Sequence, residues 1–174
     1  LKIEMDGDFI KVDEDFKTSI PSIYAVGDII GKTNVAHFVE ISSEIAILKM
    51  FKKGEYKNAE LSLVPKCIYT NPEIASVGMT GDEAKSKGYD IIQGKAILSA
   101  NCKSLIEMSE RGFVKLVFDK SSMILLGAQL MCLRATDLIG ELCTAVANGM
   151  SAHQLQLAIK PHPTLCEAIH EAVE

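Results

Sequence analysis

The chain has 174 residues, of which 48% are hydrophobic and 24% charged, with a net charge of −5. That is enough for one domain with a real core, or one domain plus part of another. The acidic balance excludes a broad phosphate-binding face for nucleic acid, and the longest apolar run, around residues 123–133, is too short to span a bilayer.

Leu1 is followed by charged residues, not by an apolar stretch, so no secretory leader is expected. A chain that opens on Leu is expected to begin inside a longer protein. The five cysteines (Cys67, Cys102, Cys132, Cys143 and Cys166) are widely spaced, and none form a Cys-x-x-Cys pair. That pattern predicts free thiols in a reducing cytoplasm and no metal site.

In chain order, residues 9–12 alternate as a short strand, residues 18–22 read as a loop, and residues 23–26 form a short apolar strand ending at Gly27-Asp28. A helix is expected from about His37 to Lys53, with Phe38, Ile41, Ile45, Leu48 and Phe51 on its apolar face and Gly54 as its stop. Residues 57–63 read as a linker. Beyond it, residues 67–70 and 74–77 are predicted strands split by Asn71-Pro72. Thr80 and Glu83 form a capping-box pattern for a short helix ending at Gly88. Residues 91–98 read as a strand, and residues 113–119 and 124–130 as a hairpin around Lys120-Ser121-Ser122. A helix follows over 135–148, with Leu138, Ile139, Leu142, Cys143 and Val146 as its stripe. Ser151 with Gln154, and Thr164 with Glu167, are the caps expected for two further helices. Strands followed by helices predict an α+β fold, an antiparallel sheet with helices packed on one face.

The residues that could carry chemistry cluster near the end. Pro161 and Pro163 flank His162 and hold its backbone extended, since proline fixes its own φ and restricts its predecessor. A histidine on a stiff loop can act as a positioned acid/base, with Glu167 fixing its tautomer. Glu167 also fits a purely structural role, as the carboxylate of the Thr164 capping box. Asp28, directly after a glycine, could accept hydrogen bonds from ligand hydroxyls or simply shape a turn. His37 marks a helix start whose free N–H groups suit an electron-rich atom. His153 and His170 read as surface residues. A Cys166–His162 nucleophile pair is the remaining possibility; it lacks an oxyanion hole and a third orienting group.

Together these segments resemble the C-terminal part of the dihydrolipoamide dehydrogenase family of flavin disulfide reductases. The order carries the resemblance. It runs from Thr18-Ser19-Ile20-Pro21-Ser22-Ile23-Tyr24-Ala25-Val26-Gly27-Asp28 and Ala36-His37, through Tyr69-Thr70-Asn71-Pro72-Glu73-Ile74-Ala75-Ser76-Val77-Gly78 and Gly127-Ala128, to His162-Pro163-Thr164-Leu165-Cys166-Glu167-Ala168. Cys166 stands where this family usually has Ser.

The resemblance implies that residues 1–58 are the last, incomplete segment of an FAD domain and residues 64–174 an interface (dimerisation) domain. It implies that Asp28 holds a ribityl hydroxyl of FAD, that the Ala36 N–H faces the flavin C2 carbonyl, and that His162 is the acid/base oriented by Glu167. It further implies a homodimer with NAD as electron acceptor, served by a lipoyl-bearing protein of a 2-oxoacid dehydrogenase or glycine-cleavage complex. The chain contains neither a Gly-x-Gly-x-x-Gly nor a Cys-x-x-x-x-Cys. Alone, it is therefore expected to be inactive and to bind no cofactor. Another disulfide reductase of the same superfamily, or a non-catalytic dimerisation module, are the alternative readings.

Overall fold

The computed structural model describes residues 1–51, 63–109 and 111–173. The predicted Gly54 stop and most of the predicted linker lie outside these residues. The chain divides into two compact units, Leu1–Val64 and Pro65–Glu174.

The first unit has little regular sheet. Strands β1 (Met5–Asp6) and β2 (Phe9–Ile10) pair antiparallel across a tight turn at Gly7. The strand expected at 23–26 forms only a single bridge, Lys17 to Tyr24, because its pairing is confined to the short segment around Phe16–Thr18. Helix α1 (Ala36–Phe51) begins one residue before its expected start. Its buried residues are Phe38, Ser42, Ile45 and Ala46, whereas Phe51, expected on the apolar face, is 67% exposed. Phe16, Ile30, Phe38, Ile45 and Ala46 form the small core of this unit.

The second unit is a five-stranded antiparallel sheet in the order β3 (Lys66–Ile68), β4 (Glu73–Gly78), β7 (Leu125–Cys132), β6 (Phe113–Asp119), β5 (Ile91–Ile97). Alternation decides the faces. Ala75 and Val77 of β4, Val114, Leu116 and Phe118 of β6, and Ala128, Leu130 and Cys132 of β7 all point into one core. Three helices cover that face: α4 (Ala135–Ala147), α5 (Ala152–Leu157) and α6 (Glu167–Glu171). They contribute Ala135, Ile139, Leu142, Ala145, Leu155, Ala168 and Ile169. Leu138, Cys143 and Val146 of the predicted α4 stripe are only partly buried at its edge. The fold is the α+β architecture the sequence predicted.

Local chemistry explains the boundaries. Helix α2 (Gly81–Ser86) starts on a complete capping box, with Thr80 Oγ1 accepting from the Glu83 N–H and Glu83 Oε2 accepting from the Thr80 N–H at 2.7 Å. Helix α5 starts on the equivalent box from Ser151 and Gln154. The β6–β7 turn is wrapped on the Asp119 carboxylate, which accepts from Ser121 Oγ, Ser122 Oγ and the Ser122 N–H. Strand β7 runs two residues beyond its expected end, since Met131 and Cys132 still pair with Ile74 and Glu73. A short helix α3 (Cys102–Ile106), absent from the sequence reading, is capped by Asn101.

Candidate functional site

The site is built on the connection between α5 and α6. His162 and Pro163 lie in a bend, and the peptide between them is cis. Thr164 Oγ1 closes the bend by donating to the Pro161 carbonyl at 2.7 Å. Leu165, 6% exposed, plugs into the core and fixes the start of α6.

His162 and Glu167 meet: Nδ1 lies 2.8 Å from Oε1. The other carboxylate oxygen, Oε2, accepts the Thr164 N–H, also at 2.8 Å. The two roles weighed for Glu167 are thus divided between its two oxygens. The expected capping box is only half formed: Glu167 accepts the Thr164 N–H, but α6 starts after Cys166 and has no side-chain cap bond there.

The Thr164 N–H first, and the His162 bond second, hold the Glu167 carboxyl below its ordinary range. An ionised carboxylate only accepts, so Nδ1 carries a hydrogen, and in the neutral ring Nε2 is the remaining acceptor. The His162 side chain is 65% exposed and that of Glu167 24%. The dyad is therefore anchored from behind and open in front, as a proton-exchanging group must be.

Two further bonds tie this loop to the sheet unit. The Asn101 amide, at the start of α3, donates to the Thr164 carbonyl at 3.0 Å. Lys160 pairs with Glu141 of α4. Asn101 and Lys160 were not singled out in the sequence, where Asn101 carries only an N-cap signature and Lys160 none.

Cys166 is half-buried and lines a cavity of about 370 Å³ with Leu138, Arg134, Lys103 and Leu165. No hydrogen bond joins it to His162 among the described residues, which leaves the nucleophile-pair reading without a base. Cys132 is buried, and desolvation pushes its thiol up to about 11. His170 is half-buried, not a surface residue as expected, while His153 is exposed.

In the first unit, Gly27 has φ +82° and is buried, a conformation that glycine adopts without strain. It opens a single 3-10 turn, Asp28–Ile30, in which Asp28 is exposed. Ala36 is the first residue of α1, and its first turn contains no acidic side chain.

Residues 64–173 match the family described as pyridine nucleotide-disulphide oxidoreductase, dimerisation domain. The chain belongs to this family. It is 37% identical over 173 residues to a dihydrolipoyl dehydrogenase of Bacillus subtilis, covering 99% of the chain and 36% of that protein. It is 36% identical over 160 residues to the dihydrolipoyl dehydrogenase of Mycoplasma pneumoniae, covering 92% of the chain and 35% of that protein. The chain spans about a third of the length of these curated relatives. Its structure superposes on LpdA from Mycobacterium tuberculosis with a TM-score of 0.91 and 25% identity, over 99% of this chain and 38% of that one. The flavoprotein disulfide reductase RclA from Escherichia coli has the same fold, with a TM-score of 0.91 at 23% identity, over 98% of this chain and 40% of that one.

Proposed function

We propose that this chain is the interface part of a dihydrolipoyl dehydrogenase, in which His162 exchanges a proton with the thiols of a dihydrolipoyl group while Glu167 holds the imidazole in one tautomer. The observation that carries this reading is the dyad itself: a 2.8 Å bond from Nδ1 to a carboxylate that is anchored by the Thr164 N–H, with the ring left open to a reactant. The dihydrolipoyl dehydrogenases at 36–37% identity support the substrate class.

The chemistry requires such a base. A thiol is mostly protonated at neutral pH, and only the thiolate attacks a disulfide. Imidazole titrates near neutrality, so Nε2 can accept the thiol proton and return it. Glu167 stabilises the imidazolium formed at that moment.

In this reading residues 1–58 close an FAD domain, and residues 64–174 form the interface domain of a homodimer. FAD, when bound, supplies a two-electron acceptor whose electrons pass on to NAD. The residues present fit it: the exposed Asp28 carboxylate suits a ribityl hydroxyl, and the start of α1 at Ala36 offers N–H groups to a carbonyl oxygen that gains charge. No residue of this chain is assigned to NAD. Each His162 serves the other copy's site, which is consistent with its exposure. A lipoyl-bearing protein of a 2-oxoacid dehydrogenase or glycine-cleavage complex delivers the substrate. The five free cysteines favour the cytoplasm. On its own, the chain does not turn over.

The test is His162→Gln in the full-length protein, assayed with dihydrolipoamide and NAD. Loss of a general base should lower turnover by about 100-fold or more, with a smaller loss for Glu167→Gln. Near-normal turnover of His162→Gln would remove the assignment. Faster turnover with glutathione than with lipoamide would transfer the chain to another disulfide reductase.

A further inference from the structure

Building on the acid/base role proposed for His162, we propose that Asn101 is a positioning residue for the His162–Glu167 dyad, acting through Thr164. Asn101 is 1% exposed. Its Oδ1 accepts the Ser104 N–H at 3.0 Å, and its Nδ2 donates to the Thr164 carbonyl at 3.0 Å. Only one orientation of the amide satisfies both partners. Thr164 in turn gives its N–H to Glu167, and Glu167 holds His162. One buried side chain thus links the start of α3 to the imidazole, through three residues that each make a direct hydrogen bond to the next.

Capping alone does not account for the residue. Ser, Thr or Asp caps a helix about as well as Asn, because each needs only an acceptor for the N–H. A hydroxyl can accept and donate only from one atom, and a carboxylate only accepts; the amide places its acceptor on the Ser104 N–H and a separate donor on the Thr164 carbonyl. A buried amide left half-paired would destabilise the fold, so the second partner is part of the design.

From outside α6, both this bond and the Lys160–Glu141 pair reach the loop. Lys160 holds the side of the bend before His162. Asn101 holds the side that carries Glu167.

The test uses the full-length protein with two substitutions that keep a capping oxygen: Asn101→Asp, which deletes the donor, and Asn101→Ser, whose single, shorter-reaching oxygen replaces the two amide atoms. Both should retain the starting thermal midpoint closely enough to assay. With dihydrolipoamide, kcat should fall about tenfold while KM stays within about twofold, as expected when a proton-transfer group is misplaced but the substrate still binds. In the His162→Gln background the Asn101 effect should vanish, since there is no imidazole left to position. In Asn101→Ser, the carbon NMR titration of the Glu167 carboxyl should move up toward the ordinary carboxylate range, because the Thr164 N–H is the first cause of its depression. A kcat within about twofold of the unaltered protein, in whichever variant folds, overturns the proposal. Normal turnover in His162→Gln would instead remove the acid/base reading beneath it, which separates the two failures.

Discussion

The two units solve the burial problem differently. In residues 65–174 one sheet face is covered by three helices, and the core runs without a break from Ala75 on β4 to Ala172 beyond α6. Among the described residues of the first unit the core is five buried side chains around α1. That helix still exposes Ile47 at 53%, Met50 at 42% and Phe51 at 67%. A helix apolar on more than one side is built to be covered on more than one side. Self-sufficiency therefore belongs to the unit that carries the dyad, and dependence to the unit that carries Asp28 and Ala36.

The sharpest way to break this contrast is to separate the units. Residues 65–174 expressed alone should unfold cooperatively, with dispersed amide resonances. Residues 1–64 alone should show neither. A cooperative transition in the smaller piece would erase the distinction.

A smaller effect probes how tightly the second unit holds α6. Gly94 of β5 lies against the carbonyl of Ala172, just past α6, and an added Cβ there would overlap that oxygen. Gly94→Ala should cost about 2 kcal/mol by overpacking, read as a lower urea midpoint. It should also disturb the dyad, because α6 begins at Glu167.

The smallest effect tests a single cross-link between sheet and helix. Glu73 of β4 accepts the Thr136 hydroxyl at 2.6 Å and the Thr136 N–H at 2.9 Å, capping α4 from a distant strand. Those bonds, with Arg134 as a minor cause, hold its carboxyl below the ordinary range. A depressed carboxyl stabilises the fold above its unfolded value and loses that contribution as pH falls through its folded value. Glu73→Gln should cost about 1 kcal/mol at neutral pH. The gap between the two melting curves should close as the pH drops below about 4.

How much of this was legible follows from the range of each interaction. The boxes at Thr80 and Ser151 and the Asp119 turn all rest on residues within a few positions of one another, so the sequence shows them directly. The strand at 23–26 was misread because a strand exists only by pairing, and periodicity does not show whether a partner runs alongside. Phe51 was placed on a buried face by spacing alone, and spacing cannot say which side of α1 meets a neighbour. Helix α3 was missed because its five residues are too few for a periodic signal.

The site divides in the same way. His162, Glu167 and Thr164 lie within six positions, so their pairing was readable from the motif. Which oxygen of Glu167 does which task was not, because that depends on the bend at Pro163. Asn101 lies 63 positions from Thr164, and no local pattern predicts a bond of that span. The sequence determined the family, the caps at Thr80 and Ser151 and the pairing of His162 with Glu167, because each is encoded by residues near one another in the chain. The tertiary structure alone decided what anchors the dyad and which helix faces are covered, because both depend on elements brought together only when the sheet closes over its core.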